Sequence, residues 1–269
     1  MTNPALFAMF KIRFKTGIQY RAAAFAGMST QFFWGFMLVM LYEAFYANAP
    51  DATGITFSQL VDYTWLQQGF LYLVALWIID REIVSQIESG GIAYELVRPI
   101  NLYMLWLFKM AGMRISGVML RFVPIVTVCM LLPKPYNLSP PASPAALILF
   151  IISLALGLLV TSGFMLLLYM VGFYTVSISG MINLSLVLAQ IFTGQFIPVA
   201  LMPDPVQRVI YLTPFAYIGD FPFRIYSGNL VGADILTGFC VQAFWIVTLF
   251  AAGNLLLRGG LKKVVSQGG

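Results

Sequence analysis

The sequence predicts an all-α polytopic membrane protein with six transmembrane helices. It adds an N-terminal interfacial amphipathic helix, a short cytoplasmic helix after the second span, and short external re-entrant or interfacial helices before the sixth. Three observations predict this. The chain is 60% hydrophobic and 9% charged, with mean hydropathy +0.88, whereas a soluble domain carries about 25% charged residues. Six stretches reach the roughly 20 mostly apolar residues that a bilayer crossing needs: 24–47, 59–79, 102–132, 145–172, 179–201 and 235–257. The cations, finally, are distributed unequally between alternate connections. All of this reads as one transmembrane domain over residues 1–269.

The first element precedes the first span. Phe7, Phe10, Phe14 and Ile18 recur at helical spacing, and Lys11, Lys15 and Gln19 fall on another face. This pattern predicts an amphipathic helix over 4–20, lying in the membrane interface. The stretch is no secretory signal, because its cations interleave with apolar residues and no small-residue cleavage site follows.

Cation counting orients the spans. With the N-terminus inside, the cytoplasmic positions are Lys11, Arg13, Lys15, Arg21, Arg81, Arg98, Lys109, Arg114, Arg258, Lys262 and Lys263, against Lys134, Arg208 and Arg224 outside. Both termini are expected in the cytoplasm, in the cell (inner) membrane. The net charge of +5 then means contact with the anionic cytoplasmic leaflet. No basic domain is present to bind nucleic acid.

Between the second and third spans lies DREIVSQIESGGIAYELVRP, residues 80–99, with four of the ten acidic residues of the chain. Glu82, Glu88 and Glu95 form the outer face of a predicted short helix, and Ile83, Val84 and Ile87 the inner one. Gly90-Gly91 breaks that helix, and Arg98-Pro99 stops the second half of the stretch before the third span begins. A solvated connector has no need of the interleaved Tyr94, Leu96 and Val97, so this stretch reads as a surface that docks a soluble partner.

The third and fourth spans are long enough to tilt or to project from the bilayer. Lys109, Arg114 and Arg121 share a face of the third. Arg121 is the deep cation, open to lipid phosphate, a helix C-terminus or an anionic substrate. Before the sixth span, residues 198–234 are broken by Pro198, Pro203, Pro205, Pro214 and Pro222. Their aromatic residues suit an outer headgroup belt. They read either as a gate or as a packed cap.

Polar residues inside spans should face the bundle or a subunit interface. Gln31 in the first span, Gln67 in the second, and Asn183, Gln190 and Thr193 in the fifth are the candidates. They line a translocation path or dimer interface, or they are interhelical glue. Cys129 and Cys240 read as small buried hydrophobes.

Several chemistries find no support. There is no histidine, no G-x-x-x-x-G-K-[ST], no H-E-x-x-H, no G-x-S-x-G, and no acidic pair inside a span. No catalytic residue and no metal site are predicted. Energy for any transport therefore has to come from another subunit.

Taken together, the segments resemble the membrane subunit of an exporter-class ABC transporter, the bacterial ABC-2-type permease. The resemblance covers nearly the whole chain and is closest in IESGGIAYELVRPINLYMLW, 87–106, and TPFAYIGDFPFRIYSGNL, 213–230; the short basic tail from Arg258 fits it as well. It implies a half-transporter. A second permease chain pairs with this one, as a homodimer or with a sister permease. Cytoplasmic ABC ATPase subunits, which bind ATP and Mg, dock beneath. This chain binds no cofactor and is not itself an enzyme.

The family's coupling helix carries over onto about 83–97, with Glu82, Gln86, Glu88, Tyr94, Glu95 and Arg98 as the ATPase-coupling residues. The resemblance also implies that spans one, two and five form the dimer contact and substrate route, where Gln31, Gln67, Asn183 and Gln190 fall. The expected cargo is hydrophobic or amphipathic. The alternatives are a non-transporting membrane scaffold or assembly subunit and a secondary transporter.

Overall fold

The computed structural model describes residues 4–19, 21–48, 54–175 and 177–263, and every regular element among them is helical. Tyr20 at the end of the expected interfacial helix, and tail residues 264–269, lie outside the described residues. Helices α1 (Pro4–Gln19) and α2 (Arg21–Asn48) are followed by α3 (Phe57–Gly69), α4 (Leu71–Val74), α5 (Arg81–Glu88) and α6 (Ala93–Leu96). Then come the long helices α7 (Leu102–Leu131) and α8 (Pro144–Val171), the shorter α9 (Ile178–Phe192), two short helices α10 (Asp204–Tyr211) and α11 (Asp220–Tyr226), and α12 (Ala233–Gly260).

Four helical stretches among the described residues are long and apolar enough to cross a membrane: Ala24–Asn48, Leu102–Leu131, Pro144–Tyr174 and Ala233–Gly260. The second and fifth expected spans take a different form. Residues 59–79 are not one helix: α3 ends at Gly69, α4 adds a single turn, and the chain leaves helix at Ala75, whose own backbone is extended. The fifth stretch contributes the 15 residues of α9, which stops at Thr193 and Gly194. Gly194 has φ +73°, a left-handed conformation that glycine adopts without a Cβ penalty.

Local sequence explains most of the helix starts. Thr56 and Gln59 form a reciprocal capping box on α3, and Asp80, Asn101, Ser143 and Ser177 accept backbone N–H bonds at the starts of α5, α7, α8 and α9. Each satisfies a donor that the helix cannot.

The core lies between α3, α7, α8 and α11. Trp65, Trp106, Tyr63, Tyr103, Tyr169 and Phe223 are fully buried in it. Helix α12 packs along α8, pinned by Gln242, whose Nε2 donates to the carbonyls of Ser153 and Tyr217 at 2.9 Å each. Apolar side chains on α2, α9 and α12 remain exposed, as lipid-facing surfaces do. Cys129 is buried, but Cys240 is exposed on α12, so only the former is the packed hydrophobe expected.

The bundle has two distinct ends. At one, α5 and α6 cover the start of α7 and the last turns of α8. At the other, α10 and α11 cap the bundle, held by Asp62 accepting from Ser139 N at 2.6 Å, by Tyr226 Oη donating to Ser139 O at 2.8 Å, and by Asn229 donating to Gly54 O at 2.8 Å. The region before α12 is thus a packed cap of short helices.

Helix α1 does more than lie beside the bundle. It packs along α7, where Gly112 leaves room for its backbone: a Cβ there would meet Phe10 O at 2.8 Å. Phe7, Phe10 and Phe14 stack along one side with centroids about 6 Å apart, at 6.1 and 6.0 Å.

Candidate functional site

At the α5–α6 end, charged side chains from α1, α5, α6 and α7 converge. Lys109, in the second turn of α7, is buried. Its Nζ donates to Glu95 Oε1 at 2.6 Å and to Glu82 Oε1 at 3.1 Å. The other oxygen of Glu95 accepts from Trp106 Nε1 at 2.6 Å. Arg13 of α1 pairs with Glu82 and lies 3.5 Å from Asp80. Asp80 Oδ1 caps α5 through Glu82 N and Ile83 N, and its own N–H donates to Tyr169 Oη of α8 at 3.0 Å. Glu88 closes the circuit by accepting from Ser179 Oγ, in the first turn of α9, at 2.7 Å. Helices α1, α7, α8 and α9 are thereby tied to one surface loop.

The electrostatics suit a permanent lock. Partial burial pushes the Glu82 carboxyl up, but Lys109 and Arg13 outweigh it and hold the group below the ordinary carboxylate range. Buried Lys109 and Glu95 are taken from water together, with their hydrogen-bonding capacity largely filled. Such a pair specifies geometry more than it adds stability.

Outside this lock the loop faces solvent. Tyr94 is 80% and Val97 82% exposed, and Leu96, Glu88 and Arg98 are exposed with them. Beside it is a cavity of about 330 Å³ lined by Arg81, Ser85, Glu88, Ser179 and Asn183 among others.

A second arrangement links α7 to the stretch after α4. Arg114, about one and a half turns beyond Lys109 on α7, is fully buried. Its Nη1 donates to the carbonyls of Tyr72, Leu73 and Ala75 at 3.1, 3.2 and 2.9 Å, and its Nη2 to Ile78 O at 3.0 Å. These carbonyls are left without helical partners where α4 ends. The guanidinium fork supplies the donors that these carbonyls lack. Arg121, about two turns further, lies 4.0 Å over the Tyr72 ring and donates to Gly117 O. Its partner is therefore an aromatic face within this chain.

Towards the other end, amides gather between α2, α3 and the end of α9. Gln31 Nε2 donates to Gln68 O at 3.1 Å, and Gln67 Nε2 to Gln195 O at 3.1 Å. Tyr63 Oη donates to Gly194 O at 3.2 Å. Beside them opens a pocket of about 270 Å³ that includes Trp34, Trp77 and Phe196 in its walls.

The family model for "ABC-2 family transporter protein" matches residues 32–268. The chain belongs to the ABC-2 transporter family. No curated protein matches it at a significant level. As an ABC-2 family permease, the chain is a multi-pass membrane transport component and not itself the catalytic subunit, and membership implies association with an ABC ATPase partner.

Set on this ABC-2 permease, the residues expected for coupling separate into two groups. Glu88, Tyr94 and Arg98 are exposed on the loop, and Gln86 lies half-buried behind it. Glu82 is half exposed and engaged in the lock. Glu95 is 6% exposed and faces inward, bonded to Lys109 and Trp106. The stretch 83–97 carries two short helices, α5 and α6, with the break expected at Gly90-Gly91 between them. Of the residues expected to share a path, Gln31, Gln67 and Thr193 are buried near one another's elements, although Thr193 Oγ1 bonds back to Gln190 O at 2.9 Å. Asn183 lies instead at the α5 end, exposed and lining the cavity beside Glu88. It does not join Gln31 and Gln67, and the half-buried Gln190 side chain makes no hydrogen bond to them among the described residues.

Sequence reasoning misses the roles of Arg13, Asp80, Trp106, Lys109, Tyr169 and Ser179. Arg13 enters it only as a topological cation, and Lys109 as one more and as a cation sharing a face of the third span with Arg114 and Arg121. A lysine placed just inside a long apolar helix, 14 residues after a glutamate in an apolar-acidic loop, is the signal that could have found the lock.

Proposed function

We propose that this permease is the membrane-spanning subunit of an ATP-driven exporter, and that its separate ATPase docks on α5–α6. The observation that carries this is the loop's double character: exposed Tyr94, Leu96 and Val97 on its outer side, and on its inner side a lock of ion pairs to α1 and α7 and hydrogen bonds to α8 and α9. A partner that moves this loop moves all four helices. The non-helical stretch 75–80, clamped by Arg114, passes the same displacement to α3.

On this reading the loop end faces the cytoplasm of the cell membrane, ATP and Mg are bound by the partner, and two permease chains pair. The exposed apolar faces of α2 and α9 suit a second permease chain. Gln31, Gln67, Gln190 and the aromatic pocket then border a route for a hydrophobic or amphipathic cargo.

Charge reversal at Glu88 tests the docking. Glu88→Arg should weaken ATPase association by about tenfold, through the repulsion and misfit that reversed surface charge creates. The melting temperature of the permease in detergent should stay unchanged. Ser179→Ala should leave association intact while lowering ATP-driven transport, because it cuts only the link to α9. Undiminished association of the Glu88 variant together with full transport by the Ser179 variant contradicts the assignment.

A further inference from the structure

The cavity between α5 and α9 carries charges of both signs. Arg81 and Glu88 line it from α5, and Ser179 and Asn183 from α9, with Val84 and Ile182 as apolar wall. All four polar residues are exposed. Arg81 and Glu88 stand two turns apart on one face of α5, about 10 Å along its axis, so each presents its charge to a different part of the cavity. Beyond the cavity the surface of α9 changes character. Ser179, Asn183, Val187 and Ile191 follow at four-residue steps, one above another. The first two are polar, whereas Val187 and Ile191 are apolar and 61% and 53% exposed. A recess with a cation and an anion thus runs into an open apolar track on a helix of a multi-pass membrane protein.

We infer that this cavity holds the headgroup of a phospholipid with a primary ammonium, of the phosphatidylethanolamine type. Its phosphate meets Arg81 and Asn183, its ammonium meets Glu88, and an acyl chain lies along Val187 and Ile191. The chemistry selects against simpler ligands. An anion that pairs with Arg81 brings like charge towards Glu88, and an amine does the converse; a zwitterion gives each residue an opposite charge. A choline headgroup lacks the N–H donors for a charge-assisted hydrogen bond to the carboxylate. A soluble zwitterion has no chain to lie on the track. The bound lipid bridges α5 and α9 beside the Glu88–Ser179 bond, and so reinforces the link between the loop and α9. The neighbouring column of Leu184 and Leu188, turned about 100° around the helix, stays open to a second permease chain. The inference needs α9 in the membrane and stands whether or not an ATPase docks on the loop.

Native mass spectrometry of the delipidated permease, without ATPase, tests this with phosphatidylethanolamine, phosphatidylcholine and phosphatidylglycerol of identical chains. Phosphatidylethanolamine should bind about tenfold more tightly than either of the others. Glu88→Gln keeps an acceptor for Ser179 but removes the charge. It should lower phosphatidylethanolamine binding to the level of phosphatidylcholine and leave phosphatidylglycerol no weaker. Arg81→Gln should weaken all three, because each carries the phosphate. Both variants should melt like wild type in detergent, and a folding defect would not divide the lipids in this way. Glycerophosphoethanolamine, the soluble headgroup, should compete only far above the lipid concentration. Equal binding of the three lipids, an unchanged preference in Glu88→Gln, or equal competition by the soluble headgroup overturns the inference. So does a permease that selects no lipid while its Glu88→Gln variant loses ATPase association, a result that gives the cavity to the ATPase.

Discussion

Arg114→Met should destabilise the permease more than any other single substitution in α7. The side chain keeps most of its apolar stem but loses the fork that meets four carbonyls between Tyr72 and Ile78. The bonds to the Leu73 and Ala75 carbonyls are buried, where an unpaired polar group is costly. The cost should be on the order of 3–5 kcal/mol, seen as a melting temperature lower by roughly 10 °C in detergent. Arg114→Lys should recover only part of this, because one ammonium cannot span the carbonyls as a planar guanidinium does. A Met variant that melts like wild type would mean that stretch 72–78 needs no clamp.

Breaking the lock at its centre comes second. Lys109→Met leaves the Glu95 carboxylate buried with only Trp106 as donor, and an uncompensated buried charge costs roughly 3–5 kcal/mol. The double variant Lys109→Met/Glu95→Leu removes both charges and should regain most of the loss. Thermal melting of the two variants side by side measures this. Function should not return with stability in the double variant, because the loop is then no longer tied to α7. If the double variant transports normally, the pair is only packing.

Much of the fold was legible because hydrophobic runs and cation asymmetry are strong signals in a chain this apolar. The long helices α2, α7, α8 and α12 follow from run length alone. The break after Val74 was not legible: LYLVALWIID contains neither proline nor glycine, and the residue that stabilises the break, Arg114, stands about 40 positions later in another helix. The early stop of α9 had a local sign in Gly194, which sits in an otherwise apolar run.

The site was legible as a place and less so as a set of roles. Apolar anchors interleaved with acids marked 80–99 as a surface built for contact. Sequence could not separate Glu88, which faces water, from Glu95, which faces Lys109, because the Gly90-Gly91 turn resets the helical phase between them. Asn183 and Gln190 share a helical face by spacing, yet Asn183 lies at the loop end beside Glu88, two turns along α9 from Gln190.

The central claim is that an ATPase docks on α5–α6, and site-specific photocrosslinking in native membranes tests it most directly. A photoreactive side chain replacing Tyr94 or Val97, on the exposed rim of the loop, should capture the P-loop ATPase that co-purifies with the permease. The same group replacing Val209 or Leu212, exposed on the cap at the opposite end, should not. Capture of an ATPase from the cap, or of none from the loop in a complex that still transports, would contradict the account.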